Sequence, residues 1–127
     1  MVYADSSALV KLIVSEPEST ALEDHLSSGS LLVTSRIAVV EVSRAVALAN
    51  PEAAAATDEL LRDCMLVSVT APLLAAARQL CSATVRTLDA IHLASALKVE
   101  PDELLAYDRR LVNAALENGL SVASPRP

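Results

Sequence analysis

MVYADSSALVKLIVSE, residues 1–16, decides the fold. Met1–Ala4 is a short apolar run that reads as a buried strand, and SSALVKLIVSE behind it carries a helical pattern, so the chain passes from strand to helix at Asp5. The same alternation continues outward. A helix is predicted over Glu18–Leu26, ended by the SSGS turn, and LLVTS (31–35) reads as the second strand. A long helix over Arg36–Ala49 stops at Asn50-Pro51, another covers Glu52–Asp63, and MLVSV (65–69) is the third strand. Helices from Pro72 to about Cys81 and from Leu88 to Val99 lead to a fourth strand, LLAY (104–107). Arg109–Glu117, closed by Gly119, and LSVA (120–123) complete the series. Short apolar strands separated by helices imply a parallel sheet covered on both faces. The expectation is an α/β three-layer sandwich with four or five strands, one domain over residues 1–127.

Composition sets further bounds. A chain of 127 residues with 53% hydrophobic content suits one compact domain. Its core must be aliphatic, since Phe and Trp are absent and only Tyr3 and Tyr107 are aromatic. The net charge of −6 excludes a general attraction for nucleic acid or anionic membrane. A polyanionic substrate would have to be held by bound cations or a few well-placed arginines. Cys64 and Cys81 lie far apart without partners at ligand spacing, which reads as two reduced thiols. No basic leader opens the chain, and the longest uncharged run, Cys64–Ala77, is too short for a membrane span and contains Pro72. These features predict a cytoplasmic protein without a membrane partner.

Against that scaffold four acids stand apart from the solvated clusters. Asp5 follows the first strand and Asp108 the fourth, on the edge where open α/β sheets bind ligands. Each also reads as an N-cap of the helix behind it, and the two roles are compatible. Glu41 has Ile37, Ala38, Ala45 and Leu48 as helical neighbours, which sets a carboxylate in an apolar stripe. An i,i+3 pair with Arg44 is the structural alternative, but such pairs contribute only about 0.2–0.5 kcal/mol, little against burial of a charge. Asp89 opens TLDAIHLASAL, which Thr87 or Asp89 itself could cap. His92 lies one turn on and reads as a packed hydrogen-bonding partner that orients a ligand rather than as a ligand.

Other catalytic sets are missing. There is no GxSxG elbow, no Cys/His zinc spacing, and the only glycines are Gly29 and Gly119, too few for a phosphate loop. What remains is an all-carboxylate centre, whose oxygen ligands suit Mg²⁺ or Mn²⁺ and hydrolytic phosphoryl chemistry.

DSSALVKL at Asp5, AVVEVSRA at Glu41, RTLDAIHLASAL at Asp89 and AYDRRL at Asp108 resemble the four signature segments of PIN domains. More narrowly, the chain is similar to VapC-type toxins of bacterial toxin–antitoxin pairs, in order and spacing from residue 1 to about 123. The resemblance implies a parallel sheet with acids coordinating one or two Mg²⁺ or Mn²⁺ ions and endonucleolytic RNA cleavage. It also implies a homodimer and a partner antitoxin. Asp5, Glu41, Asp89 and Asp108 match the family's acids, and Ser7 its small hydroxyl beside an acidic ligand. In this reading Asp5, Glu41 and Asp89 hold the metal and Asp108 completes the site. Arg86 and Arg109 are the candidates for RNA phosphate contacts. With almost no aromatic residues for stacking, a structured RNA is the expected substrate. Two rivals remain: a non-catalytic binding module that shares the fold, and a phospho-accepting receiver domain, also small, α/β and Mg²⁺-binding. The receiver is disfavoured by Ser6 after Asp5 and by lysines only at positions 11 and 98.

Overall fold

β1 (Val2–Ala4), β2 (Leu32–Ser35), β3 (Met65–Val67), β4 (Glu103–Leu105) and β5 (Val122–Ala123) form one parallel sheet in the order β3-β2-β1-β4-β5. The structure is a computed structural model that describes residues 1–80 and 84–127. Parallel neighbours require crossovers, and helices supply them. Helices α1 (Ser6–Lys11) and α2 (Ser19–Leu26) join β1 to β2. Helices α3 (Ile37–Ala49) and α4 (Ala54–Asp63), with a 3₁₀ turn at Pro51–Ala53 between them, join β2 to β3. Helices α5 (Ala71–Arg78) and α6 (Thr87–Val99) return to β4, and α7 (Arg109–Glu117) leads to β5.

The chain winds outward from β1 to β3, then reverses to β4 and β5 on the other side of β1. β1 and β4 therefore flank the switch point, where open α/β sheets form their ligand crevice. Strand alternation sends Tyr3, Val33 and Leu104 to one face, where they pack with Leu73, Leu93, Leu111 and Ala115. Val2, Ala4 and Leu105 point the other way, against Leu9, Leu22, Val42 and Leu61. Two aliphatic layers around one sheet make the three-layer sandwich expected from the sequence.

Several boundaries differ from expectation. The first helix ends at Lys11 instead of continuing to Glu16: the Lys11 carbonyl accepts the Ser19 Oγ–H (2.7 Å). The Lys11 ammonium then fixes the turn through Glu16 (2.6 Å) and Glu18 (3.2 Å). β3 stops at Val67 rather than Val69. β4 runs from Glu103 to Leu105, so Ala106 and Tyr107 stand between it and Asp108. The Ala106 N–H still donates to Ala123 O (3.3 Å), which extends the ladder towards the site. β5 is confined to Val122–Ala123, short of the predicted four residues. The α4 segment starts as the 3₁₀ turn at Pro51, and α5 ends at Arg78, while Cys81 lies outside the described residues. Gly119 closes α7 as predicted: its φ of 83° suits glycine, and Leu120 N–H donates back to Ala115 O (3.0 Å). Cys64 is a buried free thiol, pushed up to about 11 by burial. Among the described residues no helix is long and apolar enough to cross a membrane.

Candidate active site

β1 delivers Asp5 to the carboxyl edge of the sheet with only 5% of its surface exposed. Its Oδ1 accepts the Ala8 N–H (2.9 Å) as the N-cap of α1. Ser7 Oγ–H donates to the same carboxylate, at 2.8 and 3.0 Å from its two oxygens. The capping and ligand-like readings of Asp5 thus share one geometry. Burial pushes its carboxyl above the usual range despite those donors, and the nearby charge of Asp89 acts in the same direction.

Glu41 stands at the edge of the apolar stripe rather than within it. The buried stripe of α3 is Ala38, Val42 and Val46; Glu41 is half-buried at its margin, and Leu48 is 89% exposed. The alternative pair with Arg44 is absent. Instead Oε1 accepts from Ser6 Oγ–H (2.7 Å) and lies 2.7 Å from His92 Nε2. Burial alone would raise the Glu41 carboxyl, but the His92 and Ser6 hydrogen bonds and the His92 charge outweigh it and hold the group below its usual range. His92 is buried, and its other nitrogen, Nδ1, lies 2.8 Å from the Tyr3 hydroxyl. Sequence reasoning missed Ser6 and Tyr3. The signals were there: Tyr3 shares the strand face of Asp5, and a buried tyrosine hydroxyl needs a partner.

The starts of α6 and α7 form the opposite side. Arg86, not Thr87 or Asp89, is the N-cap residue of α6, and no side chain caps it there. Asp89 sits in the first turn, where the Arg86 backbone N–H favours its charged form. Burial first and the charge of Asp108 second raise the Asp89 carboxyl; Glu41 adds to the repulsion. Asp108 is exposed and caps α7, accepting the Arg110 N–H at 2.7 Å. Glu41, Asp89 and Asp108 line one cleft of about 440 Å³ together with Arg86, Thr87 and Leu88. Asp5 lies behind it, close enough to repel Asp89. Arg109 faces a separate cavity with Tyr107, Asn113, Ser124 and Arg126.

As donors the four acids offer hard oxygens only, which match a Mg²⁺-like or Mn²⁺-like ion. Burial raises Asp5 and Asp89 most, neighbouring carboxylates add to it, and a cation would relieve that repulsive share. Among the described residues no three His, Cys, Asp or Glu side chains already form an ion cage. The chemistry of the set fits a cation, and closure around one would need side-chain movement.

Comparison with known proteins narrows the reading. The PIN domain family model matches residues 2–117. Ribonuclease VapC47 of Mycobacterium tuberculosis is 39% identical over 132 residues, covering 98% of this chain and 97% of that protein. Among solved structures, the sarcin-ricin-loop-cleaving toxin VapC20 of Mycobacterium tuberculosis superposes with a TM-score of 0.78 at 20% identity over all of both chains. A chain from a toxin–antitoxin complex of Klebsiella pneumoniae gives 0.76 at 16% identity, covering 98% of each. The parallel sheet with helices on both faces is the fold they share. The chain belongs to the PIN domain family, among the VapC ribonucleases.

Proposed function

We propose that the chain is a Mg²⁺- or Mn²⁺-dependent endoribonuclease, the toxin of a toxin–antitoxin pair, working at Asp5, Glu41, Asp89 and Asp108. One observation carries the reading: three of these acids line a single cleft at the sheet's switch point, and Asp5 stands in electrostatic reach behind them. Its name as a class comes from VapC relatives that match nearly the whole chain.

Asp5, Glu41 and Asp89 would hold the cation, with Asp108 completing the set. When bound, such an ion supplies Lewis acidity towards a phosphodiester and lowers the pKa of water. The protein's own residues do the rest. Ser7 and the Ala8 N–H orient Asp5, and the α6 backbone orients Asp89. Arg86, exposed on the cleft wall and without an ion pair among the described residues, offers a phosphate contact. Arg109 would meet the RNA only where it runs on past Asp108 into the neighbouring cavity.

A folded RNA is the substrate this surface supports best. Tyr3 is fully buried, and Tyr107 is covered by the Lys11 ammonium (4.8 Å from the ring centroid) with its hydroxyl bound to Pro125 O. Neither ring offers a stacking platform for single-stranded bases. Recognition by shape and backbone is the remaining route. An antitoxin partner and a homodimer belong to the same proposal; the exposed Val39, Val40 and Leu48 on α3 are apolar side chains a partner could cover.

The test is cleavage of RNA by purified protein with Mn²⁺ or Mg²⁺, with EDTA, and with Asp89→Asn as a control for contaminating nucleases. Cleavage should require the cation and vanish in the variant. Activity that survives exhaustive chelation would sink the metal reading, and activity intact in Asp89→Asn would sink the assignment of the site.

A further inference from the structure

Both side-chain groups that reach Glu41 meet the same oxygen. Ser6 Oγ–H and His92 Nε2 each lie 2.7 Å from Oε1, and no hydrogen bond from the described residues goes to Oε2. His92 is itself fixed from behind. It is 3% exposed, its Nδ1 is 2.8 Å from the Tyr3 hydroxyl, and the two rings meet edge-on, 5.9 Å apart at 78°. A carboxylate only accepts, so Nε2 carries the proton shared with Oε1, while Nδ1 shares a hydrogen bond with the Tyr3 hydroxyl. Ser6 also stands 3.2 Å from Nε2, which ties α1, α3, α6 and β1 together at this point.

We propose that Tyr3, His92 and Ser6 form a positioning clamp that pins Glu41 by Oε1 and presents Oε2 to the cleft as a cation ligand. The inference rests on the cation-binding reading given above. Hydrogen-bond partners that orient a ligand commonly govern affinity for the ion as well as the shape of the site. A histidine retained only for packing makes a different prediction: its loss lowers the melting temperature and leaves cation affinity in the folded protein unchanged.

Mn²⁺ binding to metal-stripped full-length protein without RNA, followed by electron paramagnetic resonance, separates the possibilities. Wild type should bind Mn²⁺ and Glu41→Gln should bind it far more weakly. A wild type that binds none would remove the cation reading and the clamp with it. With wild-type binding established, His92→Leu should bind about 10- to 100-fold more weakly. His92→Gln, whose amide N–H can still donate to Glu41, should recover most of that loss. Wild-type affinity in folded His92→Leu, or no recovery in His92→Gln, would overturn the clamp while leaving the cation site standing. Should His92→Leu fail to fold, Ser6→Ala decides. Removing one of the two donors should weaken Mn²⁺ about fivefold, and unchanged affinity would again overturn the clamp.

Discussion

On the β1 side of the cleft, side-chain hydrogen bonds of 2.7–3.2 Å form two groups, Tyr3–His92–Ser6–Glu41 and Ser7–Asp5. On the other side, among the described residues, Asp108 accepts only the Arg110 backbone N–H, and no side chain reaches Asp89, whose charge the Arg86 backbone N–H favours. Folding orders the first set, since its members sit on the central strand and on three helices packed around it. The second set is exposed or half-exposed and is left with like-charge repulsion. The contrast separates two jobs within one site: a wall whose positions are fixed before any ion arrives, and a rim whose charges an ion must reconcile.

The largest expected contrast lies in stability. Tyr3→Phe leaves His92 Nδ1 buried without its partner and should destabilise the protein by about 1–3 kcal/mol. Asp108→Asn keeps an equivalent N-cap on an exposed residue and should change stability by no more than about 0.5 kcal/mol. Denaturant unfolding in EDTA compares the two. Equal losses would erase the distinction between wall and rim.

A smaller effect sharpens the comparison within the wall. Asp5 has a raised folded-state pKa, so its ionisation lowers stability at neutral pH. That penalty shrinks as pH falls through the raised value and is gone near the unfolded value of about 3.9. Glu41 has the opposite sign: its lowered pKa contributes stability above the unfolded value, and the contribution is lost as pH falls through the folded one. Asp5→Asn retains an acceptor for Ala8 and Ser7, so at pH 7 in EDTA it should exceed wild type by on the order of 1 kcal/mol. The advantage should fade towards pH 4. Glu41→Gln should be less stable than wild type at pH 7, with a deficit that closes in acid. Unfolding at stepped pH measures both, and parallel curves would contradict the assignment of opposite signs.

Much of this architecture is readable from residue order because its signals are local. Buried parallel strands appear as short apolar runs, and Asp5 and Asp108 fall immediately before the helices that follow two of them. Glu41 is visible through the company it keeps on α3. The clamp is not readable in that way. Tyr3 and His92 are 89 positions apart, His92 and Glu41 are 51 apart, and Ser6 and Glu41 are 35 apart. Their meeting depends on β1 lying centrally and on α6 packing across it, which no local periodicity specifies. Arg109 shows the same limit: adjacency to Asp108 in sequence does not bring its side chain into the same cleft.

The central claim is that the charge of Asp89 destabilises the metal-free protein because the residue serves the cation, and the melting of wild type and Asp89→Asn tests it most directly. Asp89 lies beside Asp108 and Glu41, and its raised pKa makes its charge unfavourable to the fold at neutral pH. Asparagine removes the charge while keeping an acceptor for the Arg86 N–H. Solvent screens the half-exposed group, so the gain in EDTA should be no more than about 1 kcal/mol, or up to about 4 °C. Excess Mg²⁺ should reverse the order, because binding stabilises only the protein that keeps its ligands. Asp89→Asn melting above wild type in EDTA and below it in Mg²⁺ is the predicted result. A variant that melts lower in EDTA, or an order that Mg²⁺ leaves unchanged, would contradict the account.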